Sequence, residues 1–582
     1  MNLGMKSKKV IQKTWLLASA FFLMAGVVQA QTLNSQQKRM LTTVESIALT
    51  FEEYYAPKEW KKKHLNWDLA QNTQVLREKI VSNPSITVRE FQLYLKQYIE
   101  SFADYHVGIR FQNTEAATLP FLVMPVENKF IVVSVDPKQA PADKFPVEVG
   151  AELVSLDGKS ASDLVNDLLL EMGSKNSEKT DLALAAIALT QRKATRGVSI
   201  PKGLVMIEVK NPGAESSLRF QYTWDHKKEL ISYRDNPQAL NLNKAFSLTP
   251  RLEYPLASRI QKLAHKMMSP FALDSLEKVH EKFLLGARKS YIPRMGKVIW
   301  ESKEDSIFDA YIAMDANRKF VGVVRIPSYT PDDPSAAIKE FKELISMFND
   351  RTDALVVDQI NNPGGSVFYL YSLASILAKS PLYTPKHKMI LTPADILEAQ
   401  TVMPELEKIT TDEEAVKAIG EEVGGYPVSY VFILNVKNYF QFLIDEWKAG
   451  KKITDPYFIW GVDQINPASG HYTKPVMVVT NALDFSGGDF FPAILQDNAQ
   501  AKIFGTRTAG AGGYVLSQAF PNNLGIELYS ITGSYAERKD LNPIENLGVT
   551  PDLTYDLKIS DVTQGFTGYA QSIFEAALGM IK

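Results

Sequence analysis

Two segments of this chain share one local pattern: a short apolar, β-branched run, a glycine-rich turn, then helical spacing. Residues 354–358 (Ala-Leu-Val-Val-Asp) lead through Asn361, Asn362, Pro363, Gly364 and Gly365 into an apolar stretch at 366–377. Residues 475–480 (Pro-Val-Met-Val-Val-Thr) lead through Ser486, Gly487 and Gly488 into a stretch where Phe491, Ile494, Leu495 and Asn498 recur at helical spacing. Runs of this kind are strands buried on both faces. Parallel strands that alternate with helices gather their loops at the carboxyl edge of the sheet. The pattern therefore predicts an α/β core with the 361–365 loop beside the Ser486 turn.

A serine at the first turn of a helix faces free backbone N–H groups and the positive end of the dipole. An oxyanion from acyl transfer is stabilised there. Many serines in that position only cap the helix, and Asn-Pro-Gly-Gly is common turn chemistry. Together, however, the two loops supply a nucleophile, Ser486, and three unhindered amides, those of Gly487, Gly364 and Gly365, as candidate oxyanion donors. His106, one of seven histidines, follows a helix marked by the Thr87-x-x-Glu90 capping pattern and by apolar Phe91, Leu95, Ile99 and Phe102. It ends a rigid element just before a strand, a suitable mount for a general base.

These residues resemble the S41 family of serine peptidases. The Asp358-to-Gly365 loop, the Ser-Gly-Gly-Asp block at 486–489 and the Gly-rich tail at 505–513 carry the likeness, which extends over roughly residues 85–555. One branch of that family uses a lysine base in Thr-x-Gly-Lys-Gly. This chain has Ala511 at the lysine position. The other branch, with the tricorn core and the chlamydial protease-like activity factor, uses a histidine and a late glutamate, and the resemblance to it is closer. Asp104, His106 and Phe111 match its histidine motif, and Glu545, Gly548, Val549, Pro551 and Asp552 match its late motif. The resemblance thus implies a Ser486, His106 and Glu545 triad, with Glu545 orienting the imidazole. Asp104, Asp489 and Asp552 are rival carboxylates, of which Asp552 reads more as a turn residue after Pro551. The family likeness further implies a ClpP/crotonase-like spiral α/β catalytic core, protein or peptide substrates, no cofactor and no metal. It also implies a homodimer made as a precursor that cuts itself.

Residues 1–30 join a lysine-rich start to an uncharged run and end in Val28-Gln29-Ala30, the form of a cleavable export signal. The mature chain is expected to be exported, periplasmic or secreted, without a stable membrane anchor. No cysteine is present, which excludes disulfides, a thiol nucleophile and thiolate metal sites. The formal net charge of −2 leaves no basic footprint for nucleic acid.

The domain reading is a helical domain at 31–112, a β-rich PDZ-like domain at 113–235, a linker at 236–295 and a catalytic domain at 296–582. The PDZ-like reading rests on Gly150-Ala-Glu-Leu-Val-Ser-Leu-Asp-Gly followed by a helix at 162–172. The basic, proline-containing linker is expected to be poorly packed and cleavable. An insertion at about 380–470 is expected to cover one side of the cleft. Two rival readings are a catalytically inactive peptide-binding protein on a protease fold and an acyl-CoA enzyme of the crotonase type.

Overall fold

A computed structural model describes residues 33–140, 145–175, 177–229, 255–266 and 278–581. The export signal read at 1–30 and much of the 236–295 linker lie outside the described residues.

The chain is mixed α/β. Its N-terminal helices, Ser35–Tyr54, Lys58–Leu65, Leu69–Val81 and Val88–Glu100, include three capped by the side chains of Asn34, Asp68 and Thr87. Each cap satisfies a backbone donor that a helix start leaves free. Their core of Phe51, Phe91, Ile99 and Phe102 also takes in Tyr529 and Ile531 from the far end of the chain. The contact is continued by a three-stranded antiparallel sheet. Gly108–Phe111 pairs with Ile526–Thr532, which pairs with Val515–Gln518.

A second module folds around Phe121–Val126, Lys129–Val135, Glu152–Leu156, Leu204–Lys210 and Leu218–Thr223, hydrogen-bonded in that order. Two helices pack with it, Ala161–Met172 and Glu178–Thr190. Only the first is expected from the sequence. The second has no clean polar and apolar faces to betray it, since it buries Thr180 and Asp181 along with Ala185, Ala186 and Leu189.

The largest sheet has seven strands, ordered Lys297–Glu301, Ala310–Met314, Phe320–Arg325, Ala354–Asp358, Val476–Thr480, Ala501–Gly505 and Leu553–Thr554. From Phe320–Arg325 onward every neighbouring pair is parallel. Strands Ala354–Asp358 and Val476–Thr480 are buried throughout and adjacent, so the loops that follow them emerge together.

The linker reading needs correction where it can be described. Helix Leu256–Lys266 buries Leu256 and Ile260 in the main core, and Arg259 pairs with Glu398 and Glu405 of the insertion. Tyr291 and Met295 are buried too. Gly286 donates its amide to Asn361 O at 2.9 Å, so this stretch is a wall of the core rather than a loose tether.

Candidate active site

Ser486 lies between strand Val476–Thr480 and helix Gly487–Asp497 with φ 54° and ψ −112°. A non-glycine residue in such a conformation stores about 1–3 kcal/mol of strain. Its carbonyl accepts the amides of Asp489 (2.7 Å) and Phe490 (2.9 Å). The hydroxyl makes no capping bond to the helix, so the simple cap reading does not apply. A cavity of about 50 Å³ opens at this serine, walled by Gly365, Val367, Leu370, His387, Ile459 and Phe490 among others.

The 361–365 loop packs directly against the serine turn. Phe485 donates its amide to Asn362 O at 2.8 Å, and Asn362 donates its own to Asp484 Oδ1 at 2.9 Å. Gly364, at φ 91°, comes so close that a Cβ there would sit 2.7 Å from Phe485 O and from Ser486 Cβ. Its amide already donates to Asn362 Oδ1 at 2.8 Å, which removes it from the expected oxyanion donors. Gly365 and Gly487 remain. A Cβ on Gly487 would lie 3.2 Å from the Gly365 nitrogen, so the two amides are neighbours.

His106 follows Ala103, whose φ of 49° turns the chain after the helix Val88–Glu100. It is fully buried, and neither ring nitrogen has a hydrogen-bond partner among the described residues. Asp104 accepts the His106 backbone amide at 2.8 Å, the Tyr55 hydroxyl at 3.0 Å and the Thr532 hydroxyl at 2.8 Å. Glu545 is also fully buried. Lys61 Nζ donates to its Oε1 at 2.5 Å and the Gly512 amide to its Oε2 at 3.0 Å. The direct imidazole bond expected from the sequence is therefore replaced by a lysine and a backbone amide. Removing one partner of such a pair strands the other charge, at a cost of about 3–5 kcal/mol.

A protein of Chlamydia pneumoniae is 34% identical over 544 residues, 89% of this chain and 86% of the relative. One of Chlamydia trachomatis serovar D is 31% identical, with 98% of each chain covered. Residues 320–555 match peptidase family S41. The chain belongs to this family. Residues 115–235 of this S41 peptidase match a PDZ domain. The crystal structure of mature CPAF superposes with a TM-score of 0.80 at 30% identity, covering 94% of this chain and 98% of that one. Mature CPAF complexed with lactacystin gives 0.79 at 29% identity, covering 94% and 99%.

Electrostatics in this S41 peptidase centre on burial. Burial lowers the His106 pKa to about 4, with Asp104 opposing and Lys61 adding to the effect. Burial, then the charge of Asp104, raises Glu545 to about 7 against the pull of Lys61 and the Gly512 amide. Burial alone would raise Asp104 too, but Lys61, His106 and the Thr532 hydroxyl hold it below the usual carboxylate range.

The other rival carboxylates have structural tasks. Asp489 accepts the Thr508 hydroxyl and the amides of Gly510 and Ala511, fixing the turn where the other family branch carries its lysine. Asp552 binds Lys502 and the Ile503 amide, anchoring the last strand. Two residues of the site escaped the sequence reading. Lys61 stands in a lysine-rich helix with no motif. His387 lies on a short strand, stacks on Phe490 and pairs its Nδ1 with the Ser534 hydroxyl. Among the described residues no cluster of His, Asp and Glu suits a metal ion.

Proposed function

We propose that this S41 peptidase is an exported serine endopeptidase working through Ser486, His106 and Glu545. His106 takes the Ser486 proton as Oγ attacks the scissile carbonyl, and the Gly487 and Gly365 amides hold the oxyanion. The imidazolium then protonates the leaving amine. Water hydrolyses the acyl-enzyme with His106 again as base. Glu545 stabilises the imidazolium as a nearby buried charge. Catalytic bonds that are long or absent without substrate often form only in the Michaelis complex.

The observation that carries the reading is Ser486 itself, strained, uncapped and half-buried beside the neighbouring amides of Gly487 and Gly365. Substrate has a ready path along strand Val515–Gln518, an outer strand of its sheet. Tyr514, Leu516 and Gln518 face one cavity of about 430 Å³, while Val515 and Ser517 face another of about 310 Å³. An extended peptide added there would send alternate side chains to the two sides.

Labelling with a fluorophosphonate, and with lactacystin by analogy to the CPAF complex, tests the function. Wild type should be modified at Ser486 and Ser486→Ala should not. An unlabelled, peptide-inert wild type would instead support the binding-protein reading. The proposal includes export with loss of residues 1–30, homodimerisation and self-cleavage within residues 236–295, read from N-terminal sequencing, light scattering and denaturing gels.

A further inference from the structure

Lys61 is a lysine with no exposed surface, 484 residues from the carboxylate it binds. Its Nζ donates to Glu545 Oε1 (2.5 Å), Asn546 Oδ1 (2.7 Å) and Ala103 O (2.8 Å). An ammonium has three protons, so the set is complete. Asn546 Nδ2 donates to the same Ala103 carbonyl at 2.7 Å. Ala103 opens the turn that presents His106, and Asn546 follows Glu545. One ammonium therefore joins the loop of the base to the loop of the carboxylate.

We propose that Lys61 is a positioning residue of the triad: it locks the His106 loop to the Glu545 loop and keeps the charge of Glu545 in place for the imidazolium. The inference rests on the Ser486, His106 and Glu545 reading above. It follows from counting charge. Lys61, Asp104 and Glu545 sum to one net negative charge in a buried space, which the imidazolium formed on Ser486 attack neutralises. With Lys61 absent, two carboxylates would face each other without a counter-ion, a state relieved by protonating one of them. Glu545 is the one already pushed upward by burial and Asp104. The remaining negative charge would then reside on Asp104, which already accepts the His106 backbone amide.

Other titratable groups around the pair are Tyr55, bonded to Asp104, Tyr535, near Glu545, and His64, near Lys61. Both tyrosines are raised above their ordinary value, foremost by burial, so neither adds a charge near neutral pH. His64 is lowered by burial and by Lys61, which keeps it neutral there as well.

The test uses the full chain, with kcat and KM for one peptide measured from pH 5 to 9. The set is wild type, Lys61→Met, Glu545→Gln and Lys61→Met/Glu545→Gln. Lys61→Met should lower kcat at least about tenfold, hold KM within about twofold, and move the acid limb of the profile upward. The double variant should lose clearly less than the product of the two single losses, because most of the effect of Lys61 passes through that carboxylate. Removing both charges together also guards against misfolding of the single variant. Wild-type kcat and an unmoved pH profile in Lys61→Met would overturn the inference, as would a double-variant loss equal to the product of the two single losses. Fluorophosphonate separates the two levels of failure. A wild type that is not labelled at Ser486 overturns the triad and this inference together, whereas a labelled wild type with an indifferent Lys61→Met overturns this inference alone.

Discussion

At the scale of single residues, burial decides the chemistry. A histidine with its ordinary pKa near 6.5 would give a rate profile falling through that value. Burial instead places His106 near 4 and Glu545 near 7. On the proposed triad, lowering the pH protonates Glu545 first and removes the charge that supports the imidazolium, and further lowering protonates His106. Wild-type kcat/KM should therefore begin to fall below about pH 7, while the slower Glu545→Gln enzyme should keep only the limb near pH 4. A pH–rate series on the two proteins checks this, and an upper limb that survives Glu545→Gln belongs to another group. Gly364 supplies a steric prediction. At φ 91° with the serine turn 2.7 Å from any Cβ, Gly364→Ala should cost at least about 2 kcal/mol and abolish Ser486 labelling. Gly213, at φ 75° with nothing within 4 Å, is the control. Gly213→Ala should cost only about 1 kcal/mol by thermal unfolding and leave kcat unchanged.

Among elements, legibility follows how local the cause is. The two strand, loop and helix units were readable because their strands are β-branched and buried throughout, a signal written within five residues. The helix Val88–Glu100 was readable from its cap and its stripe. Helix Glu178–Thr190 was not, and it is the element that ties the PDZ domain to the site. Thr180 donates to Ala482 O at 2.7 Å, four residues before Ser486, and Asp181 accepts the Tyr105 hydroxyl beside His106. Thr180→Val leaves the Ala482 carbonyl unpaired, a loss of about 1–3 kcal/mol. A several-fold fall in kcat on a short peptide is expected with it. Unchanged turnover in a destabilised Thr180→Val protein would limit that contact to stability. Lys61 and His387 were illegible for the same physical reason. Their burial is set by partners hundreds of residues away in Lys61 and 147 away in His387, and no local spacing records such contacts.

For the whole molecule, the described part of the linker bears on processing. Because Arg259 holds helix Leu256–Lys266 to Glu398 and Glu405, a cut between residues 236 and 254 should leave that helix on the larger fragment. Denaturing gels of wild type should show fragments of about 25 and 35 kDa, from residue counts under the usual domain sizes. Native size exclusion should show both still together, since the N-terminal core includes Tyr529 and Ile531. Ser486→Ala should stay whole. Fragments that separate under native conditions would contradict the shared core.

That shared core also sets a clock. Lys61 and His106 are made early, Ser486 late and Glu545 later still, so most of the polypeptide must exist before these residues can meet. Strand Gly108–Phe111 waits for Ile526–Thr532 in the same way, and pairings this remote form slowly. On the proposed triad, a chain emerging amino-end first from the ribosome would hold an incomplete site, so the order of synthesis would itself delay activity until the polypeptide is nearly finished.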